Sequence, residues 1–358
     1  MVGGGVMGSS AAWHLADRGY DVTLLEQFEP GHDRGSSHGS SRIFRLAYPD
    51  PFYVDLAIRA LPAWRRLEAV VGTSLLSLTG AVDHGPTAAT RGLRDALAAA
   101  GRPHRTLTPA QVEGRWPGLR ADTSALFHKE AGRLDADAAV TALQQAAVAR
   151  GAEVRHRTRV ARIGTRSDGR VEVVTDTEEV LVADQVVVAV GGWAHKALPA
   201  LGITPPTLRV TQEQPVHFAA PGALDWPSFI HHGGAALPAG SGVYGLGSVD
   251  GVKVGFHAVG PVVDPDHRDR SIDLAAEETL RDYASSWLPG VDLDRATSTT
   301  CLYTVTPDHD FVIDRRGRVT VLAGFSGHGF KFGSIIGDLA ADLVDGKSGE
   351  SRFALDRR

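Results

Sequence analysis

Cysteine is almost missing from this chain of 358 residues, which has only Cys301. A single thiol excludes an internal disulfide and any cage of several thiolates, and it fits a reducing cytoplasm. Taken alone, such a cysteine reads as a small apolar side chain. Long apolar runs are missing as well: none approaches the roughly 20 residues that cross a bilayer. No basic-then-apolar leader opens the sequence, so a cytoplasmic protein is expected. Positive charge is not in excess. With 37 Lys plus Arg against 42 Asp plus Glu, the formal net charge is -5. That argues against a nucleic-acid partner, which would want a strongly basic face.

Lysine is the other scarce residue. Of the 37 cations only five are lysine: Lys129, Lys196, Lys253, Lys331 and Lys347. A lysine kept inside an apolar or Gly-rich stretch of so arginine-rich a chain marks a task for a compact charge with a tunable pKa. Lys253 in "GVKVGFH" and Lys331 in "GHGFKFGS" meet that description. Lys129 and Lys347 sit in polar surroundings and read as surface, and Lys196 in "GGWAHKAL" stays undecided.

The rest is ordinary for a soluble enzyme, at 43% hydrophobic and 22% charged residues. The length favours two domains. The opening "MVGGGVMGSSAAWHLADRGYDVTLLEQ" sets Gly3, Gly5 and Gly8 in G-x-G-x-x-G spacing before a helix carrying Ala11, Ala12, Leu15 and Ala16. A strand from Val22 to Leu25 follows and ends in Glu26. The first glycine allows the tight turn, the second lets amides approach a pyrophosphate, and the third lets helix pack on strand. Glu26 stands where a carboxylate accepts from a ribose. Only Met1 and Val2 precede Gly3, so the first strand is expected to have begun upstream of Met1.

Later segments extend this fold. Asp135 is expected to cap a helix stopped by Gly151, and strands are expected near Val154, Val160–Ile163, Val171–Val174 and Val180–Val182. The β-branched run Val186–Val190 reads as a parallel strand buried on both faces. "YVDLAIRALPAWRRLEAVVG" puts Tyr53, Leu56, Ala60, Trp64 and Leu67 on one helical face, a core stripe. Thr108 to Gln111 is a capping box, with Pro117 as the stop. Residues 207–260 alternate short β-like pieces with turns such as "PAGSG", which suggests a largely antiparallel sheet.

Five stretches together, "GGGVMGSSAAWHLA", "GSSHGSSRIFRLAY", "GVKVGFH", "CLYTVTPDHDFVID" and "GFSGHGFKFGS", give the chain a resemblance along its whole length to the monomeric sarcosine oxidase and N-methyltryptophan oxidase family. The resemblance implies an α/β fold: an FAD-binding Rossmann-type parallel sheet with a small antiparallel layer, plus a substrate (cap) domain with a largely antiparallel sheet. The expected division is 1–78, 137–210 and 302–358 for the FAD-binding domain, and 79–136 and 211–301 for the substrate domain. It also implies FAD joined covalently through Cys301 to the flavin's 8α-methyl. A thiolate can make that bond where a nearby positive charge stabilises the electrons pushed into the ring, and Lys331 at a helix start can supply the charge.

By the same resemblance the cofactor is expected against Gly3, Gly5, Val6, Met7, Gly8, Glu26 and Gln27. Further on it meets Ser36, His38, Ser41, Arg42, Ile43, Val160, Gly191 and Trp193, then Cys301, Gly327, Gly329 and Lys331. His38 and Arg42 lie over the flavin. Arg45 and Lys331 clasp the substrate carboxylate, which arginine binds in a bidentate fork. Arg42 and Arg45, three apart, would share a face of one helical turn. Lys253 matches the oxygen-activating lysine, where a fixed cation stabilises developing superoxide. Tyr244, His257 and Tyr303 line the same pocket. Ser40, Leu46 and a shorter stretch between Tyr244 and Lys253 depart from the family pattern and bear on pocket size.

The expected activity is oxidation of an N-methyl amino acid such as sarcosine or N-methyltryptophan by O2, giving formaldehyde, the free amino acid and H2O2. The alternatives are an oxidase or dehydrogenase of a cyclic imino acid, a D-amino-acid-oxidase-like enzyme, a nicotinamide dehydrogenase on the same glycine motif, and a flavin scaffold without turnover. A monomer is expected, with no nucleic-acid or membrane partner and no metal.

Overall fold

A computed structural model describes residues 1–233 and 242–357. The "PAGSG" turn lies outside the described residues except for Gly242. The first layer is a parallel sheet threaded by the N-terminus. Val2 bridges Leu25 on one side and Val188 on the other, both in parallel. Outward from it, Thr23–Leu25 pairs in parallel with Glu153–Arg155, and Val186–Val188 with Val319–Ala323. Val312–Arg316 closes the edge antiparallel. Val186, Val187 and Val188 are all buried, as an unbroken β-branched run requires when both faces of a sheet are covered.

Helices Val6–Asp17, Ala136–Val148, Gly333–Val344 and Pro51–Val71 share one apolar core with this sheet. Tyr53, Leu56, Ala60, Trp64 and Leu67 form the buried stripe of the long helix. Asp135 caps its helix by accepting from the Ala138 amide at 2.9 Å. Val160–Thr165, Val171–Thr175 and Val180–Ala183 make the small antiparallel layer.

A second core lies under an eight-stranded sheet. Its order is Asp292–Ser298, Val216–Ala219, Gly251–Phe256, Val243–Ser248, Ser228–His231, Ala81–His84, Ala125–His128, Arg105–Leu107. Every pairing is antiparallel except Ser228–His231 with Ala81–His84, so the largely antiparallel expectation holds. Helix Leu274–Trp287 covers one face with Leu280, Tyr283 and Ala284. The capping box at Thr108 and Gln111 is present, and its helix ends at Arg115.

One local expectation fails. Arg42–Phe44 is a strand paired antiparallel with Gly132–Leu134, not a helical turn. Spacing of three therefore gives Arg42 and Arg45 no common face.

Candidate active site

Where the parallel strands end, a cavity of about 1560 Å³ opens between the two layers. That exceeds the roughly 300–1,000 Å³ of a pocket for one small ligand. A dinucleotide and a substrate can share it. Its floor is built from backbone. Gly3 has φ +100°, and a Cβ there would stand 2.4 Å from the Ala189 carbonyl oxygen. A Cβ at Gly8 would come within 1.9 Å of the Gly3 oxygen. Helix and strand can approach this closely only because both positions lack a side chain. Glu26 is buried and accepts from the amides of Gly4 at 2.7 Å and Phe28 at 3.0 Å. Burial pushes its carboxyl up, but His32 and these two amides outweigh that and hold it below the usual range.

Next to this floor lies a chamber walled by cations. Lys253 sits on Gly251–Phe256 between Val252 and Val254, whose side chains enter the second core. Period two therefore turns the ammonium toward the cavity. Its Nζ donates to the Ser41 carbonyl at 3.0 Å, and burial, followed by the charge of Arg42, lowers its pKa to about 7. Lys331, in the Phe330–Phe332 turn before the last long helix, donates to the Tyr48 hydroxyl at 2.9 Å and the His328 carbonyl at 2.8 Å. Burial and then Arg45 drive its pKa well down. Arg42 donates to the carbonyls of Ser41, Ser36 and His38 and stands 5.7 Å over the Phe330 ring.

Cys301 opens the strand Cys301–Val305 and is a free thiol on the cavity wall. Burial raises its pKa, against the pull of Arg42 and Lys253. His38 falls to about 3 through burial and then Arg42, and His257 to about 4 through burial and then Lys331. Both are neutral near pH 7. Burial raises the phenols of Tyr244 and Tyr303, and the Tyr303 ring lies 5.5 Å from that of His257.

The FAD dependent oxidoreductase (DAO) family model matches residues 1–343. The chain belongs to this family. Among curated proteins it is 36% identical to the monomeric sarcosine oxidase of Streptomyces avermitilis, over 96% of this chain and 92% of the relative. It is 30% identical to the N-methyl-L-tryptophan oxidase of Yersinia pestis, over 97% and 94%. Among solved structures it superposes on NikD, described as an unusual amino acid oxidase essential for nikkomycin biosynthesis. The TM-score is 0.87 at 26% identity, covering 99% of this chain and 96% of that one.

The cavity of this FAD oxidoreductase suits the cofactor on its own evidence. Gly3, Gly4, Gly5 and Glu26 border it, and a Cβ at Gly3 or Gly4 would strike Ala189 or Glu26, so this stretch of backbone stays bare. Ser40 Oγ, Ser41 Oγ and His38 Nε2 are buried at the same wall with no hydrogen-bond partner among the described residues. Buried polar atoms left unpaired are costly unless a ligand meets them. Gln27, Val160, Gly191 and Trp193 line the cavity, and so do Val6, Met7, Ser36, Ile43, Gly327, Gly329, Arg45, Tyr244, His257 and Tyr303. Gly8 does not. It lies beneath the floor, where its role is close packing against Gly3 and not contact with a ligand.

Arg45 differs from a free clasp, because its Nη1 donates to Asp83 Oδ1 at 3.0 Å. Asp83 is fully buried and also meets His232 Nε2 at 2.9 Å. Burial pushes its carboxyl up, but His232 and Arg45 outweigh this and hold it below the usual range. Sequence reasoning passed over Asp83, His232, Tyr48 and Gln144. Tyr48 stood within the quoted "RIFRLAY" and could have been taken from it. Gln144 Nε2 donates to the Gly4 carbonyl at 3.0 Å across 140 residues, a contact that no local pattern signals.

Proposed function

We propose that this FAD oxidoreductase oxidises a secondary-amine amino acid of the N-methyl type, sarcosine or a larger N-methyl amino acid. The observation that carries this reading is the pair of buried lysines and Arg45 around one chamber beside Cys301, in a chain whose curated relatives are named for sarcosine and N-methyltryptophan. When bound, FAD would supply the two-electron acceptor for the carbon next to nitrogen, with O2 as the final oxidant and H2O2 its product. The released imine hydrolyses to formaldehyde and the free amino acid.

The protein's own groups do the rest. Lys331 and Arg45 bind the substrate carboxylate, with Lys331 aimed by the Tyr48 hydroxyl and the His328 carbonyl. Arg42 and His38 stand against the cofactor, and Lys253 is the cation that attends oxygen. His38 and His257 are uncharged near neutral pH, and the surrounding positive charge disfavours an ammonium. The amine is therefore held neutral, the form that can lose hydride, and no side-chain base is required.

Cys301 is proposed as the covalent anchor, with Arg42 and Lys253 favouring its thiolate against burial. The domain division set out from the sequence, a monomeric state and a cytoplasmic location belong to the same proposal. Among the described residues no helix is long and apolar enough to cross a membrane.

Aerobic turnover tests the activity: sarcosine or another N-methyl amino acid should yield equal amounts of H2O2 and formaldehyde. Peroxide from proline or pipecolate alone would move the reading to cyclic imino acids. Acid precipitation tests the anchor. The yellow colour should stay with the protein pellet and pass to the supernatant in Cys301→Ser; colour in the wild-type supernatant would refute the tether.

A further inference from the structure

Beyond the cavity, one cluster of buried side chains has no part in this chemistry. His84 ends the strand Ala81–His84 and His231 ends Ser228–His231, and the two residues are in register on neighbouring parallel strands. Period two puts Asp83 and His232 on the cavity side, where they hold Arg45. His84 and His231 point the other way, toward Trp287 and Tyr283 of the covering helix. Their rings are 4.1 Å apart, and they share one carboxylate. His84 Nδ1 lies 2.9 Å from Asp122 Oδ1, and His231 Nε2 lies 3.4 Å from Asp122 Oδ2.

We propose that His84, Asp122 and His231 form a binding site for a divalent transition metal of the zinc class, on the face of the eight-stranded sheet away from the flavin cavity. The donor set is two imidazoles and a carboxylate, the ligands such ions take. Their ligand atoms lie within 4.8 Å of one another. Ligands at about 2.0–2.2 Å from a tetrahedral ion are about 3.2–3.6 Å apart, so two edges are nearly set and the third closes by a side-chain adjustment of about an ångström.

A second observation is independent of that spacing. His231 is 1% exposed, yet its Nε2, which faces Asp122 Oδ2 at 3.4 Å, lacks a hydrogen-bond partner among the described residues. A buried imidazole nitrogen that faces a carboxylate without a hydrogen bond is an unmet polar atom that an ion would engage. The outer shell is also in place. Tyr283 Oη meets His231 Nδ1 at 3.2 Å, the contact that orients a ligating imidazole. Thr123 Oγ donates to the Gly85 carbonyl at 2.7 Å and accepts the Gly85 amide at 3.0 Å, fixing the turn that presents Asp122. The Asp122 side chain is 27% exposed, which leaves an entry path and room for a water as the fourth ligand. The ion would tie the covering helix and the 122 turn to the strand ends that carry Asp83 and His232.

Equilibrium dialysis of chelator-stripped, full-length flavoprotein against micromolar Zn2+, read by elemental analysis, tests this without turnover. One equivalent per chain should be retained, with a rise in Tm of several degrees. Asp122→Asn and, separately, His231→Gln should each lose that equivalent and the rise in Tm while keeping the wild-type flavin content. The proposal is overturned if wild type retains no stoichiometric metal, or if Asp122→Asn retains as much as wild type.

Discussion

The two ends of the flavin cavity are built by opposite means. At the nucleotide end the wall is backbone: Gly3, Gly4 and Gly5 with the Glu26 carboxylate, drawn from one short stretch of chain and held by close packing. At the cationic end the wall is side chains: Arg42, Arg45, Lys253 and Lys331, from segments up to 289 residues apart by numbering. Packing stabilises the first end. The second carries charge at a cost, since Lys253 and Lys331 hydrogen-bond to carbonyls and a hydroxyl instead of carboxylates, and burial depresses both. Both lysines are thus left without a carboxylate partner, whereas Arg45 keeps Asp83, and the scaffold offsets the penalty elsewhere.

Substitutions at the two ends should therefore fail differently. The largest effect is expected at the cradle. Gly8→Ala places a methyl group on the Gly3 carbonyl, and flavin content should fall below about a tenth of wild type, from overpacking at a contact with no room to relax. Normal flavin loading would show that the floor yields. Lys253→Met should load flavin normally and be reduced by substrate at near wild-type rate, but react with oxygen on the order of 10²–10³-fold more slowly. Stopped-flow measurement of the two half-reactions separates these outcomes, and an unchanged oxidative rate removes the assigned role. Lys331→Met should raise KM for the amino acid about 10–100-fold, the range for losing one charged hydrogen bond, with oxygen reactivity unaltered.

The smallest effect expected is on stability against pH. Lys253 has an ordinary pKa of 10.5 and a folded value of about 7. Between those values the unfolded chain binds more protons, so stability rises with pH, and the penalty is full below about 7. Chemical denaturation across that window should show a slope that flattens in Lys253→Met. His38 at about 3 and His257 at about 4 act in the same sense: stability falls as pH drops from about 6.5 toward 4.

The contrast also explains what could be read from the chain. The cradle is legible because its constraints are local: Gly3 and Gly8 tolerate no Cβ, and their spacing carries the whole geometry. Lys253 and Lys331 were legible for a different reason, their rarity among arginines, which no structural pattern supplies. Arg42 and Arg45 were read on the wrong period, because three-residue spacing fits a helix only if the helix exists, and pairing with Gly132–Leu134 made it a strand. Ala81–His84 went unrecognised because two of its four buried residues are Asp83 and His84, and charged side chains argue against a central strand until their distant partners are known. Those partners, Arg45, His232, Asp122 and His231, lie 38 to 149 residues away.

The central claim, that the chamber presents a secondary-amine amino acid to a bound flavin, is tested most directly by anaerobic mixing of the purified yellow protein with sarcosine and larger N-methyl amino acids. The account expects the visible flavin band to bleach with at least one of them and to return when oxygen is admitted. A band that every secondary-amine amino acid leaves unchanged, in protein that carries its full complement of flavin, would contradict it.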